Sequence, residues 1–88
     1  MLLLKPTKAA VRFIEALPPK QFRQVWLTVL ALLTTPFPQD SKQLQGYPYH
    51  RVDFGEYRII YRVVDETLEL ILIGKRNGDE VYQQLRRL

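Results

Sequence analysis

A single change in hydrophobic period divides this chain and most constrains its fold. As far as Leu33, apolar residues recur three and four positions apart, which is the spacing of one face of an α-helix. From Tyr49 onward they alternate or run continuously, as they do in β-strands. Because 88 residues make one domain and no more, the two patterns predict a single α+β domain spanning residues 1–88.

The N-terminal half is predicted to form a short strand followed by two helices. Leu2–Leu4 is a candidate first strand, and Thr7 is the candidate N-cap of the first helix. The pair Pro18 and Pro19 ends that helix, because the residue before a proline avoids the α region, and the second proline can open the next helix. A second apolar stripe continues to Leu33, so the two helices are expected to form a hairpin.

The C-terminal half is predicted to form a sheet and a last short helix. A proline-rich connector, residues 34–40, precedes it. Gly74 is expected to bend the chain out of the sheet, and Asp79 to cap the last helix. The expected strands are His50–Phe54, Tyr57–Val64 and Leu68–Ile73, with short turns at Gly55-Glu56 and Asp65-Glu66.

These elements predict a twisted, mainly antiparallel sheet with the N-terminal helical hairpin packed on one face. Leu68–Ile73 is nearly all apolar, which is typical of a central strand buried on both faces. Helices and strands in the order β-α-α-β-β-β-α make an α+β sandwich.

Composition excludes several classes of protein. The chain has no cysteine, so it holds no disulfide or thiolate metal site, and this fits a reducing cytoplasm. No apolar run approaches the roughly 18 residues that would span a bilayer. His50 is the only histidine, which makes a metal site unexpected and favours a structural role for that residue. The net charge of +4 favours a polyanionic partner.

Two arginines belong to neighbouring predicted strands. We expect the hairpin between them to bring Arg51 and Arg58 near one another. Like charges so close destabilise a sheet unless an anion lies between them. That anion is either a bound ligand or a carboxylate, and Asp53 and Glu56 are near enough to provide one. On spacing alone, Arg58 is more often a surface arginine whose stem covers apolar neighbours.

Two further cations and a tyrosine follow the last strand. Lys75 and Arg76 at the strand end are either simply solvated or line a cleft, where they would stabilise the extra charge of a pentacovalent phosphate. Tyr82 is more often a partly buried helix residue, but beside cations a phenol can act as a general acid or base. Cations that converge with a phenol are what a protein needs to hold and cut an RNA backbone.

With these residues in this order, the chain resembles the RelE/ParE superfamily of bacterial toxin–antitoxin toxins, on the RelE side, over almost its whole length. Each motif is common in small proteins, and their order and spacing together are specific. The motifs that follow the helical hairpin are Pro36-Phe37-Pro38, Lys42-x-Leu44-x-Gly46, Arg51, Gly55-Glu56-Tyr57-Arg58-x-x-Tyr61, Ile73-Gly74-Lys75-Arg76 and Glu80-Val81-Tyr82.

The resemblance implies an activity and the residues that perform it. RelE-like members cleave mRNA in the ribosomal decoding site, so it implies a cytoplasmic endoribonuclease that needs no metal or cofactor and whose partners are the ribosome and mRNA. By position, Arg58 would contact the scissile phosphate, Arg76 would stabilise the transition state, and Tyr82 would help to activate the 2′-hydroxyl. Arg51 matches a basic strand position of many members, and Lys75 precedes the second arginine as it does in several.

The resemblance also implies a protein partner. A cognate antitoxin is expected to place an amphipathic helix on the helical hairpin, beside Phe22 and Trp26, and acidic residues on the basic sheet. The chain departs from the family at Asp53, since many RelE proteins carry two or three cations along this strand. This departure leaves open a repurposed member that only binds an antitoxin or RNA. A ParE-like toxin that inhibits DNA gyrase by contact is the other alternative, because it shares the fold and the helical hairpin.

Overall fold

The computed structural model describes residues 1–88 and confirms the predicted α+β class. Its elements in chain order are β1 (Leu3–Pro6), α1 (Lys8–Glu15), α2 (Pro19–Leu32), β2 (Lys42–Gln43), β3 (His50–Phe54), β4 (Tyr57–Val64), β5 (Thr67–Lys75) and α3 (Glu80–Arg86). The strand β2 is the one element that the hydrophobic period did not reveal, because its two residues are too few to show alternation. None of the helices is both long and apolar enough to cross a membrane.

The strands form one sheet in the order β1-β5-β4-β3-β2. Every neighbouring pair is antiparallel except β1 with β5, which confirms the predicted mainly antiparallel sheet. Strand β5 lies between β1 and β4 and is buried on both faces, as its continuous apolar run predicted, although β4 occupies the middle of the sheet.

The two faces of the sheet carry different helices. On one side, α1 and α2 pack over a core that includes Val52 and Ile59, and we call this side the hairpin face. On the other side, α3 packs through Val81 onto a smaller core that includes Ile60 and Leu72, and we call this side the α3 face. Each strand therefore sends alternate side chains to two separate environments.

Thr7 joins α1 to the sheet. It is the N-cap that the sequence predicted, since its side-chain oxygen accepts a hydrogen bond from the backbone N–H of Ala10 at 3.2 Å. The same hydroxyl donates to the carbonyl of Ile71 at 2.6 Å. Ile71 is the extra residue of a β-bulge, at the point where the pairing of β5 with β4 shifts register. The bulge turns Ile71 and Leu72 toward the same face, where both belong to the core under α3.

Tyr61 fastens the proline-rich connector to the hairpin face. Its hydroxyl donates to the carbonyl of Pro36 at 2.5 Å, and burial raises the pKa of this phenol. The ring centroid of His50 lies 4.7 Å from that of Phe37 and 6.0 Å from that of Tyr61. His50 thus occupies the structural place that was predicted for it.

Helix α3 approaches the sheet most closely at Gly74. A Cβ atom at this position would lie 2.4 Å from Cγ2 of Val81, well inside van der Waals contact. The predicted bend at Gly74 is wrong, because β5 continues to Lys75 and the glycine is needed for the approach of the helix. Since Gly74 pairs with Arg58 of β4, the same approach sets α3 beside that arginine.

Asp79 stands at the N-cap position of α3, as predicted, but its side chain does not cap the helix. Its carboxylate instead accepts a hydrogen bond at 3.1 Å from Nη2 of Arg86, which lies at the other end of the helix. Packing of Val81 and Leu85 against the sheet, rather than a cap, therefore holds α3 in place.

We expect Gly74→Ala to lower the free energy of unfolding by about 1–3 kcal/mol, because the new methyl group overpacks the contact with α3. Val81→Ala removes the clashing methyl group and leaves Cβ of residue 81 at 3.8 Å from the added carbon. In a double-mutant cycle measured by denaturant unfolding, Gly74→Ala should therefore cost clearly less in the Val81→Ala background. Equal costs in the two backgrounds would show that α3 does not rest on Gly74.

Candidate functional site

Most of the predicted site residues lie on the α3 face. In β3, Arg51 and Asp53 alternate with the buried Val52, and Asp53 pairs with Arg58 of β4 across the hairpin. Because Val52 belongs to the hairpin face, the period of two places the three charged side chains on the opposite face. The two arginines are therefore neighbours, as their spacing predicted.

Arg58 is held by three side-chain hydrogen bonds. Its Nε donates to Oδ1 of Asp53 at 2.7 Å and its Nη2 to Oδ2 at 3.0 Å, which makes a bidentate fork. Its Nη1 donates to the hydroxyl of Tyr82 at 2.8 Å, and its guanidinium carbon lies 5.6 Å from the centroid of that ring. The side chain is only 15% exposed, so Arg58 is not the surface arginine that its spacing alone favoured.

Asp53 is the anion between the two arginines. In addition to its fork with Arg58, the carboxylate accepts a hydrogen bond from Nη1 of Arg51 at 3.3 Å. Glu56, the other carboxylate considered, is exposed in the hairpin turn. The repulsion between the arginines is thus relieved by the protein's own carboxylate. We call Arg51, Asp53, Arg58 and Tyr82 the Asp53 cluster.

Contacts within the cluster fix its ionisation. The hydrogen bonds from Arg58 lower the pKa of Asp53; burial opposes this, and the charges of Arg58, Arg51 and Arg76 add to the lowering. Conversely, the hydrogen bond to Asp53 raises the pKa of Arg58, and Tyr82 acts in the same direction. At neutral pH the cluster therefore holds two guanidinium cations and one carboxylate anion.

Arg76 borders the cluster at the β3–β4 turn. Its backbone N–H donates to the carbonyl of Glu56 at 2.8 Å, and its Nη1 donates to the carbonyl of Gly55 at 3.3 Å. The side chain is exposed, and its charge is close enough to help lower the pKa of Asp53. Arg76 thus extends the positive surface of the cluster toward the turn.

Lys75 lies on the other side of the sheet. It pairs with Tyr57 of β4, whose ring packs edge-on against Phe13 of α1 with the centroids 5.9 Å apart. Directly paired residues of neighbouring strands share a face, so Lys75 belongs to the hairpin face. The structure therefore brings together four of the five predicted site residues and separates Lys75 from them.

Asp53 is the residue whose importance the sequence interpretation underrated. The sequence alone presents it as one of two possible counter-charges and as a departure from the family. The two-residue turn at Gly55-Glu56 indicates where Asp53 lies. Such a turn pairs Phe54 with Tyr57 and therefore Asp53 with Arg58. A carboxylate directly opposite the central arginine of the site was therefore deducible from turn length.

Comparison with known proteins connects this fold with toxin–antitoxin systems. A family model described as the ParE toxin of type II toxin–antitoxin systems, parDE, matches residues 4–80. A sequence search of curated proteins finds no significant match.

Several solved structures share the fold. The isolated RelE toxin of E. coli superposes with a TM-score of 0.75 at 24% identity, over 99% of this chain and 97% of that one. A chain of the archaeal RelE–RelB complex from Pyrococcus horikoshii has a TM-score of 0.76 at 25% identity, over 86% and 96% of the two chains. The RelB–RelE antitoxin–toxin complex from Methanococcus jannaschii gives 0.69 at 20% identity, over 91% and 96%. At such identities, structural likeness bears on the fold.

We expect Asp53 to stabilise the protein at neutral pH and to lose this effect in acid. Because Arg58 lowers the pKa of Asp53 in the folded state, the carboxylate stabilises the fold above its unfolded pKa of about 3.9, and the effect vanishes as the pH falls through the lower folded pKa. Thermal unfolding of the parent and of Asp53→Asn should show a stability difference at neutral pH that shrinks below about pH 4. A difference that is constant with pH would contradict the ion pair.

Proposed function

The chain belongs to the ParE toxin family of type II toxin–antitoxin systems, within the RelE/ParE superfamily, and we propose that it is a ribosome-dependent endonuclease of mRNA. The observation that carries the proposal is the 2.8 Å hydrogen bond between Arg58 and Tyr82. It joins a cation able to bind a phosphate with a hydroxyl able to move a proton. Cleavage of an RNA backbone needs both groups at one place.

Arg58 keeps donors free for a phosphate. Of the five N–H donors of a guanidinium group, three are used by Asp53 and Tyr82, which leaves one on Nη1 and one on Nη2. In this proposal the two free donors bind the nonbridging oxygens of the scissile phosphate. The exposed guanidinium group of Arg76 adds a second cation, which stabilises the charge that develops in the transition state.

The proposed reaction is an in-line transfer within the RNA. The 2′-oxygen of a ribose attacks the adjacent phosphorus as the bond to the 5′-oxygen breaks, which yields a 2′,3′-cyclic phosphate and a free 5′-hydroxyl. Tyr82 serves as the general base that takes the proton of the 2′-hydroxyl, and water returns one to the 5′-oxygen. The Arg58 cation bonded to the tyrosine oxygen stabilises negative charge there during the transfer. Guanidinium groups supply the charge that metal ions supply in other nucleases.

The surface around the site is open, and for this reason the proposed reaction requires the ribosome. None of the surface grooves is lined by Arg58, Arg76 or Tyr82, so the protein alone does not enclose a nucleotide. In-line attack requires the nucleophile, phosphorus and leaving oxygen to be aligned, and such positioning supplies much of a rate enhancement. In this proposal the ribosomal decoding site holds the mRNA against this surface, and the activity is cytoplasmic.

We assign Arg51 and Lys75 supporting roles. Arg51 shares the carboxylate of Asp53 with Arg58 and is 24% exposed, so it can contact the RNA backbone beside the scissile phosphate. Lys75 is exposed on the hairpin face and points away from the phosphate that Arg58 would bind. In this proposal its charge contacts ribosomal RNA beyond the reacting nucleotide.

We propose that a cognate antitoxin covers the outer side of α2. Related structures contain a toxin of this fold together with an antitoxin. Phe22, Leu27 and Leu30 are 38%, 59% and 43% exposed, and Trp26 lines two grooves of about 310 and 240 Å³. An apolar patch of this kind on a small protein marks a binding site, and the apolar side of an amphipathic helix fits it.

Inhibition of DNA gyrase by contact is the second candidate, because the matching family model describes ParE toxins. That function does not require a cation bonded to a proton-transfer group. A supercoiling assay with purified gyrase, run beside an assay of mRNA cleavage on programmed ribosomes, separates the two. Inhibited gyrase together with intact mRNA would establish the second candidate and reject the nuclease.

We expect Arg58→Ala, Arg76→Ala and Tyr82→Phe each to lower the rate of mRNA cleavage on programmed ribosomes by on the order of a hundredfold, because each removes a group from the reacting phosphate. Tyr82→Phe keeps the ring and removes only the hydroxyl, so it distinguishes proton transfer from packing. Arg23→Ala removes an exposed cation of α2 and is the matched control, with parental cleavage expected. Primer extension measures the rates, and parental cleavage by Arg76→Ala would remove that residue from the site.

We expect Leu27→Glu to weaken binding of the cognate antitoxin by about tenfold or more, because it places a charge in the apolar patch of α2. The residue is 59% exposed, so the stability of the free toxin should change little. Gln39→Glu introduces the same charge at an exposed position of the connector and serves as the control. Isothermal titration calorimetry measures both, and equal affinities would place the antitoxin elsewhere.

A further inference from the structure

We propose that Asp53 is a positioning residue of the nuclease site, which holds Arg58 in the orientation that receives the scissile phosphate and, in doing so, weakens RNA binding. The inference rests on the proposed function and adds a residue to it. Asp53 occupies the edge of Arg58 formed by Nε and Nη2. A phosphate group would otherwise find its own bidentate site there.

The fork decides where the remaining donors of Arg58 point. An arginine side chain has several rotatable bonds, and without partners it samples many directions. Asp53 lies directly opposite on the neighbouring strand, so its two hydrogen bonds fix the plane of the guanidinium group relative to the sheet. Tyr82 fixes a third donor from the side of α3. The two free N–H groups are therefore oriented before RNA arrives, and such preorganisation speeds the chemical step.

The same carboxylate reduces the attraction for RNA. Asp53 is hydrogen-bonded to both Arg51 and Arg58, so its charge offsets roughly one of the two cations at close range. Binding of a single strand depends on the number of cations that are free to neutralise phosphates. Asp53 thus acts in opposite directions on two quantities, since it lowers the affinity for RNA and raises the reaction rate of RNA already bound.

Two simpler roles for Asp53 predict other results. A residue that only relieves repulsion between Arg51 and Arg58 has no effect on the rate of bound mRNA. A residue that only blocks Arg58 would, once removed, raise affinity and rate together. Only the proposed role predicts that, when Asp53 is removed, the affinity for RNA rises while the maximal rate falls.

The test compares Asp53→Asn with Glu69→Gln. Glu69 accepts a hydrogen bond from Arg62 on the same face, so each variant removes one carboxylate from an arginine and takes the net charge from +4 to +5. Asparagine keeps the size of Asp53 but offers only one acceptor oxygen, so the fork cannot form. Single-turnover cleavage of mRNA on programmed ribosomes, at increasing protein concentration, gives a maximal rate and a half-saturating concentration for each variant.

We expect Asp53→Asn to lower the maximal rate by about tenfold or more and to lower the half-saturating concentration as well. Glu69→Gln should leave the maximal rate unchanged. A maximal rate of Asp53→Asn equal to or above that of the parent would overturn the positioning role and leave the nuclease proposal in place. Absence of cleavage by the parent protein would instead overturn the nuclease proposal.

A second measurement is independent of cleavage and of how the variant folds. In the parent protein, the Nε–H group bonded to Asp53 should exchange with solvent slowly in ¹H–¹⁵N NMR spectra. The Nε–H of the exposed Arg23 provides the reference for a free guanidinium group. An Arg58 signal that exchanges as fast as that of Arg23 would show that Asp53 does not hold the arginine, and the inference would fall.

Discussion

The close approach of α3 to the sheet at Gly74 is the contact on which the arrangement of this molecule depends. Because Gly74 has no Cβ, Val81 packs directly on the backbone of β5. Gly74 is paired in register with Arg58, and Tyr82 follows Val81 in the helix, so the tyrosine hydroxyl arrives at the guanidinium group. One close approach therefore sets both the apolar packing of the helix and the position of the tyrosine hydroxyl in the site.

The charged groups beside this contact act as one network. Two arginines on one side of a hairpin would repel each other, and Asp53 makes hydrogen bonds to both. Its pKa is lowered chiefly by the hydrogen bonds from Arg58, so at neutral pH the carboxylate stays ionised and remains the counter-charge of both arginines. The site therefore carries a smaller net charge than its number of arginines indicates. In the proposed phosphate chemistry, the orientation of the donors of Arg58 therefore matters more than the strength of a positive field.

Helices and strands were predictable because their signals are local. Prolines at 18 and 19 separate two apolar stripes, and Thr7 supplies the hydroxyl that a first turn needs, so both could be recognised from a few neighbouring residues. The bulge at Ile71 lies within Leu70–Ile73, where every residue is apolar whichever face of the sheet it takes, so nothing in the sequence marks it. The bend predicted at Gly74 failed for a related reason, since the partner that requires a glycine lies in another element.

The residues of the candidate site show the same difference between local signals and contacts from distant elements. The proximity of Arg58 and Tyr82, 24 positions apart, came from a family resemblance, because no local pattern connects them. Lys75 and Arg76 are adjacent in sequence, and only the register of β5 with β4 shows that Lys75 belongs to the hairpin face. Asp53 is different, because a two-residue turn alone sets it opposite Arg58. In a tight hairpin, the residue that faces a candidate catalytic arginine is therefore known before any other tertiary contact, and its charge indicates how that arginine is oriented.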